Sequence, residues 1–317
     1  MRGSALAGAS DRPGRLARRL AGWLLAGIAL GAVAVGGTLL PSAPVATTCQ
    51  PGYSAQGGGA VCPAVSASAG YWLAGGDGGV FSFGGAQYHG SAAGQRLAAR
   101  VVGVAPVGGG GGYWLAAADG GVFSYGGAGF HGSLAGRRLN APVVGIAATA
   151  DGGGYWLVAS DGGVFTFGDA AYHGSMAGTR LNAPVVGMAA TPDGGGYWLV
   201  AADGGVFAFG DAPFHGSLAG QRLNRPVVGV AATLGGNGYW LVAADGGVFS
   251  YGDAPFEGSA AGEPLSRPVV GMTASPGGAG YWLVGADGGV FGHGDAPYRG
   301  GMAGQPLAAP VVGMTAG

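Results

Sequence analysis

The chain has no lysine, and only 9% of its 317 residues are charged. Phosphate neutralisation needs clustered cations, so a nucleic-acid partner is not expected. Cysteine is nearly absent too, with Cys49 and Cys62 alone. Zinc asks for four ligands, and two cysteines without a nearby histidine do not make that site. No metal or other cofactor is expected. Helical patterning is missing: beyond the first 46 residues no window repeats apolar residues at helical spacing. Glycine recurs every few residues, and each one would cost a helix interior roughly 1 kcal/mol. These absences leave an all-β reading.

What is present is one unit, repeated. Its cleanest copy is PVVGMAATPDGGGYWLVAADGGVFAFGDAPFHGSLAGQRLN, residues 184–224. The Tyr-Trp pair recurs at Tyr71-Trp72, Tyr113-Trp114, Tyr155-Trp156, Tyr197-Trp198, Tyr239-Trp240 and Tyr281-Trp282, always 42 residues apart. A period of about 40–45 residues is that of four-stranded propeller blades. The unit therefore predicts four short strands, at 184–190, 197–201, 206–209 and 213–218, the last being the weakest. Pro-Asp-Gly, Asp-Gly-Gly and Gly-Asp-Ala punctuate the gaps, as turns require. YWLVA and VVGMAA are nearly continuous apolar runs, the mark of strands covered on both faces. One unit could not cover those faces alone, but a ring of six can. A buried Trp covers ~200 Å², worth roughly 5 kcal/mol gross, so the tryptophans are expected to hold blades together.

The ends of the repeat array are ragged in a matched way. Before Tyr71 the usual first strand is replaced by the short PAVSASAG. The chain stops at PVVGMTAG, residues 310–317, a first strand with no blade behind it. The expectation is that this C-terminal strand pairs into blade one and closes the circle, with the small-residue strand at the crowded axis. The other phase would put the Tyr-Trp strand innermost and leave closure to packing. A β-solenoid with two coils per unit fits the matched ends less well.

Residues 1–46 read as a targeting segment. Arg2, Arg12, Arg15, Arg18 and Arg19 stand against Asp11 alone, and residues 20–40 carry no charge. This is the layout of a cleaved signal peptide or of an N-terminal hydrophobic helix that anchors the chain. Either way the repeats are expected to be extracellular, secreted or tethered through residues 20–40. Residues 47–69 form a Gly/Ser/Ala-rich linker, and its two cysteines predict a Cys49–Cys62 disulfide. Residues 70–317 form the ring, expected as a monomer.

The unit resembles the strand order of WD-repeat propellers: apolar strand, Pro-Asp-Gly turn, apolar strand, Asp-Gly turn, aromatic strand. The Trp-Asp dipeptide is absent, and Phe209-Gly210-Asp211 stands in its place. The unit is more closely similar to a Gly-Tyr-Trp-Leu-Val repeat of exported proteins from high-GC actinobacteria. That repeat occurs alone behind a signal segment or beside cell-wall hydrolase modules. The resemblance covers residues 70–317 and implies a propeller at the cell envelope, with no reaction attached.

Candidate chemistry is sparse. His89, His131, His173 and His215 share one repeat position, taken by Glu257 and Arg299 in the last two units. That position falls on the expected outermost strand, where equivalent side chains do not converge. The Ser of His-Gly-Ser has no triad partner of its own. The hairpin aspartates Asp77, Asp119, Asp161, Asp203, Asp245 and Asp287 are the better candidates. They should share a face with the loops entering the next blade, which carry Arg96, Arg137, Arg138, Arg180, Arg222, Arg225 and Arg267. Asp-Gly-Gly also has a plain explanation, with Asp bonding its own turn. No copy has the Asp-x-Asp spacing of a calcium loop.

Two functions follow as expectations. The preferred one is a non-enzymatic binding or scaffold module for a cell-wall glycan or an envelope protein, touching the membrane only through its N-terminal segment. The alternative is a hydrolase or lyase acting on envelope glycans through the Asp-Gly-Gly face. A unique ionisable residue at the channel mouth would favour the alternative, and Glu257, His293 and Arg299 are the candidates.

Overall fold

The structure is a computed structural model and describes residues 70–317. The targeting segment, the N-terminal hydrophobic helix, the linker and the Cys49–Cys62 pair lie outside the described residues. Residues 70–317 form six antiparallel sheets of three strands each. In one sheet the inner strand is Val185–Ala190, the middle strand Gly196–Ala201 and the outer strand Val206–Gly210. Tyr197 of the middle strand faces Ala190 on one side and Phe209 on the other. The sixth sheet joins the two ends of the described chain. Its inner strand is Val311–Ala316, paired with Gly70–Gly75 through Tyr71↔Ala316 and Leu73↔Met314. Each inner strand also touches the inner strands of the sheets on either side, in cyclic order. The fold is a propeller-like ring of repeats.

The expected fourth strand is not a strand. Residues 213–218 run along each sheet without entering its ladder. Gly216, at φ +130°, breaks extended geometry, and Pro213 has no N–H to donate. Side chains use the backbone groups instead. Trp198 Nε1 donates to the Pro213 carbonyl at 2.8 Å. Tyr239 of the next sheet donates its hydroxyl to the Gly216 carbonyl at 2.7 Å and accepts from the His215 N–H at 3.2 Å. A ladder partner would have to displace these bonds.

The core lies in the seams between sheets. One seam buries Trp156, Val158 and Val164 of one sheet against Met188, Tyr197 and Leu199 of the next. The Tyr and Trp side chains of all six Tyr-Trp pairs are fully buried. Every Trp ring meets the Tyr ring of the following sheet, from Trp72–Tyr113 at 5.2 Å round to Trp282–Tyr71 at 5.2 Å. Such contacts add about 0.5–1.5 kcal/mol each beyond area burial. A backbone belt runs beside them. Ala202 N–H donates to the Pro184 carbonyl of its own sheet, and its carbonyl accepts from Val227 of the next, both at 2.9 Å. The same pair recurs at Gly76, where Val101 donates to its carbonyl and Pro310 accepts from its N–H. At the axis the inner strands lie side by side: a Cβ on Gly229 would stand 3.2 Å from Val242 Cγ1 of its own sheet and 3.6 Å from the Gly271 Cα of the neighbouring strand, whereas at Gly313 it would meet nothing within 4 Å.

Candidate functional site

The hairpin aspartates and the arginine loops do share one end of the ring. The middle-to-outer turn and the start of the inner strand meet there, joined by the backbone belt. Among the described residues, every arginine except Arg299 belongs to this end. The opposite end carries Asp151, Asp169, Asp193, Asp211, Asp253 and Asp295, and of the arginines among the described residues only Arg299, in the position of His173, lies toward it. The ring is thus electrically two-faced.

Each hairpin Asp is first a turn residue. Asp203 Oδ1 accepts from the Gly205 N–H at 3.0 Å, and the other five sheets repeat the bond between 3.0 and 3.2 Å. Gly204 follows in a left-handed conformation, at φ +78°, which closes the loop. Oδ2 of each of these aspartates makes no such turn bond. The carboxylates therefore stay one per sheet and line open depressions with their neighbours. A depression of about 620 Å³ is bounded by Asn140, Asp161, Thr179, Arg180 and Asn182. Its relative two sheets on, about 560 Å³, holds Arg225, Asp245, Glu263 and Arg267. Arg180 also borders a third hollow with Asp203. Arg96, Arg138 and Arg222 are exposed on the same loops. Among the described residues no three His, Cys, Asp or Glu side chains group to hold a metal ion.

The axial mouth differs from expectation. Val102, Val144, Val186, Val270 and Val312 line a bowl of about 320 Å³, with Arg100 at its edge. Arg100 is the one ionisable residue that lines the bowl, and with only Val, Ala and Pro beside it this lone guanidinium has no carboxylate partner of the kind the hydrolytic alternative needs. Pro142, Pro184, Pro226, Pro268 and Pro310 hold its position in the other units. Glu257 and Arg299 lie in the irregular outer segments, and His293 lies on an outer strand opposite Tyr281. None of these three reaches the mouth. Arg100 was visible in the 42-residue register as an arginine where proline repeats, but its importance depends on where the axis falls.

His89, His131, His173 and His215 sit in the seams, on the outer segments and not on an outermost strand. His173 stacks edge-on against Tyr197 of the next sheet at 5.5 Å, and its Nε2 lies 3.1 Å from the Gly194 carbonyl. Their backbone task survives replacement: Glu257 and Arg299 give the same N–H bond, to Tyr281 and Tyr71. Burial raises the phenol pKa of Tyr71, Tyr113, Tyr155, Tyr197, Tyr239 and Tyr281, against the lowering effect of those N–H bonds. Burial likewise lowers the pKa of His293. At the acidic end the aspartate that follows the outer strand is tied to the turn beside it. Thr233 Oγ1 donates to Asp253 at 2.8 Å and Thr191 to Asp211 at 3.3 Å. Gly85 and Gly127 replace this aspartate in the first two units of the repeat.

No family model matches the chain, and no curated protein is similar to it in sequence. Its fold is similar to that of a chain in a crystal structure of a nidogen/laminin complex, with a TM-score of 0.55 and 13% identity, over 78% of this chain and 98% of that one. At that identity the likeness is one of fold.

Proposed function

We propose that this chain is a non-enzymatic binding or scaffold ring that works outside the cytoplasm at the cell envelope. Its ligand, a glycan or an envelope protein, would meet the end that carries the hairpin aspartates and the arginines. The observation that carries this reading is the repetition of that end. Asp161, Arg180 and Asn182 recur in register as Asp203, Arg222 and Asn224, so one ligand pattern can be met several times around the circle. Chemistry on a substrate asks for side chains that converge at one place. Repeated polar depressions suit recognition of a repeating or extended partner. The nidogen/laminin structure is itself that of a protein complex, which is in keeping with a propeller used for assembly. The export reading rests on the basic and then uncharged sequence of residues 1–40.

The test is a pulldown of the full chain, in a detergent without sugar head groups, on purified cell-wall polymer and on envelope extract with chemical cross-linking. Parent protein is compared with Asp161→Asn/Asp203→Asn. Saturable capture that falls at least about tenfold in the variant supports the reading. Equal capture of both proteins would move the site off this end of the ring.

A further inference from the structure

One feature of the repeat is unexplained by folding. Tyr88, Phe130, Tyr172, Phe214, Phe256 and Tyr298 occupy one position of the unit, and every one is 59–65% exposed. The position is aromatic in all six sheets although it is not buried. The residue before it drifts freely through Gln87, Gly129, Ala171 and Pro213. A single exposed apolar side chain is ordinary on a surface, and what sets these apart is the recurrence of an exposed aromatic at one position of all six units.

Tyr172 stands on the wall of a polar groove. This groove of about 380 Å³ is lined by Asn140 of one unit and by Asp161, Phe165, Tyr172 and Ser175 of the next. The Tyr172 hydroxyl donates to Ser175 Oγ at 3.1 Å, which fixes the ring. Asp161 Oδ1 is held by its turn, and Oδ2 is left for a ligand. The following groove, about 290 Å³, repeats the set with Asn182, Asp203, Phe207 and Ser217. Phe214 is the register equivalent of Tyr172 and neighbours this groove in sequence, three residues before its Ser217.

We infer that these grooves are sugar subsites, each taking one pyranose ring of a linear polysaccharide. This deepens the binding-ring reading and rests on it. A pyranose presents a C–H face, which packs on an exposed aromatic plate, and an edge of vicinal hydroxyls. A carboxylate that accepts and an amide that both donates and accepts suit that edge. The register also limits the number of sites. The amide occurs at Asn140, Asn182 and Asn224, while the equivalent positions are Ala98, Ser266 and Ala308. The full set of Asn, Asp, aromatic and Ser therefore falls in three consecutive units, the third supplying Asn224, Asp245, Phe256 and Ser259. Three weak subsites in a row bind a polymer far more tightly than its monomer, by about 10²–10⁴.

The experiment is affinity electrophoresis of the full chain, in a detergent without sugar head groups, through gels holding hydroxyethyl cellulose, glycol chitin, mannan or galactan. At least one polymer should retard it, and the matching monosaccharide should compete about 100-fold less well by weight. The variant Tyr172→Ala/Phe214→Ala/Phe256→Ala should lose at least about tenfold in affinity with its unfolding midpoint unchanged. Tyr88→Ala/Phe130→Ala/Tyr298→Ala should stay within about twofold of the parent. Retardation by none of the four polymers overturns the inference, as does equal loss in the two triple variants. If Asp161→Asn/Asp203→Asn abolishes binding and the first triple variant does not, the sugar grooves fall and the binding face remains. If no polymer binds but a cross-linked envelope protein is captured at that face, the scaffold reading stands without the sugars.

Discussion

At the scale of single residues, the repeat is held by groups that do two things at once. Trp198 is fully buried in a seam and also supplies the hydrogen bond that fixes the Pro213 carbonyl. Trp198→Phe should cost about 2–4 kcal/mol, since it opens a cavity and orphans that carbonyl. Urea unfolding of the variant against the parent measures it. Gly204 combines positive φ with contact: a Cβ there would stand 2.5 Å from Leu218 Cβ. Gly220 has the same φ of +78° with nothing within 4 Å. Gly204→Ala should therefore cost clearly more than Gly220→Ala, which carries only the backbone strain of about 1 kcal/mol. Equal losses in thermal unfolding would remove the packing role given to Gly204. The Asp-Gly-Gly turn could be read from residue types alone, because Asp bonding its own turn is local chemistry. The acceptor of each Trp N–H could not, because it is set by how the outer segment lies over the sheet.

At the scale of elements, the strands were legible and the outer segment was misread. VVGMAA, YWLVA and VFAF show the apolar density of covered strands, and all three pair as such. Residues 213–218 look like a fourth strand only by analogy with four-stranded blades. Their Pro, their positive-φ Gly and the side chains that claim their carbonyls keep them out of the ladder. The strand Val311–Ala316 offers the sharpest test at this scale. Among the described residues it is the only inner partner of Gly70–Gly75, through five residue pairs. Deleting residues 310–317 should cost several kcal/mol or prevent folding, because it removes a whole strand and half of a seam. A truncated chain as stable as the parent in chemical denaturation would show that packing alone holds the ring.

At the scale of the whole molecule, equivalence makes small effects collective. Six buried tyrosines have phenol pKa values raised by burial, so the folded state keeps protons that the unfolded chain releases near pH 10. The sign follows directly. Stability from these groups is complete below about pH 10 and is lost as pH rises through the higher folded values. Unfolding free energy should be flat in this respect up to about pH 10 and then fall steeply, together with the rise of tyrosinate absorbance. A flat profile to pH 12 would mean that the hydroxyls ionise as freely in the ring as out of it. The two ends of the ring also differ in charge, and this difference came from the fold. In sequence Asp203 and Asp211 are eight residues apart and look alike. Because they lie at opposite ends of one strand, the first faces arginines and the second faces other carboxylates. Period, the positions of the three paired strands and the turn chemistry followed from the sequence, since each depends on neighbours along the chain or on an unbroken 42-residue register. Which residues meet across the seams, why the blade stops at three strands, and which end gathers the arginines were decided only by the tertiary structure. Those relations arise when one unit closes against the next, and a pattern read along a single unit contains no record of its neighbour.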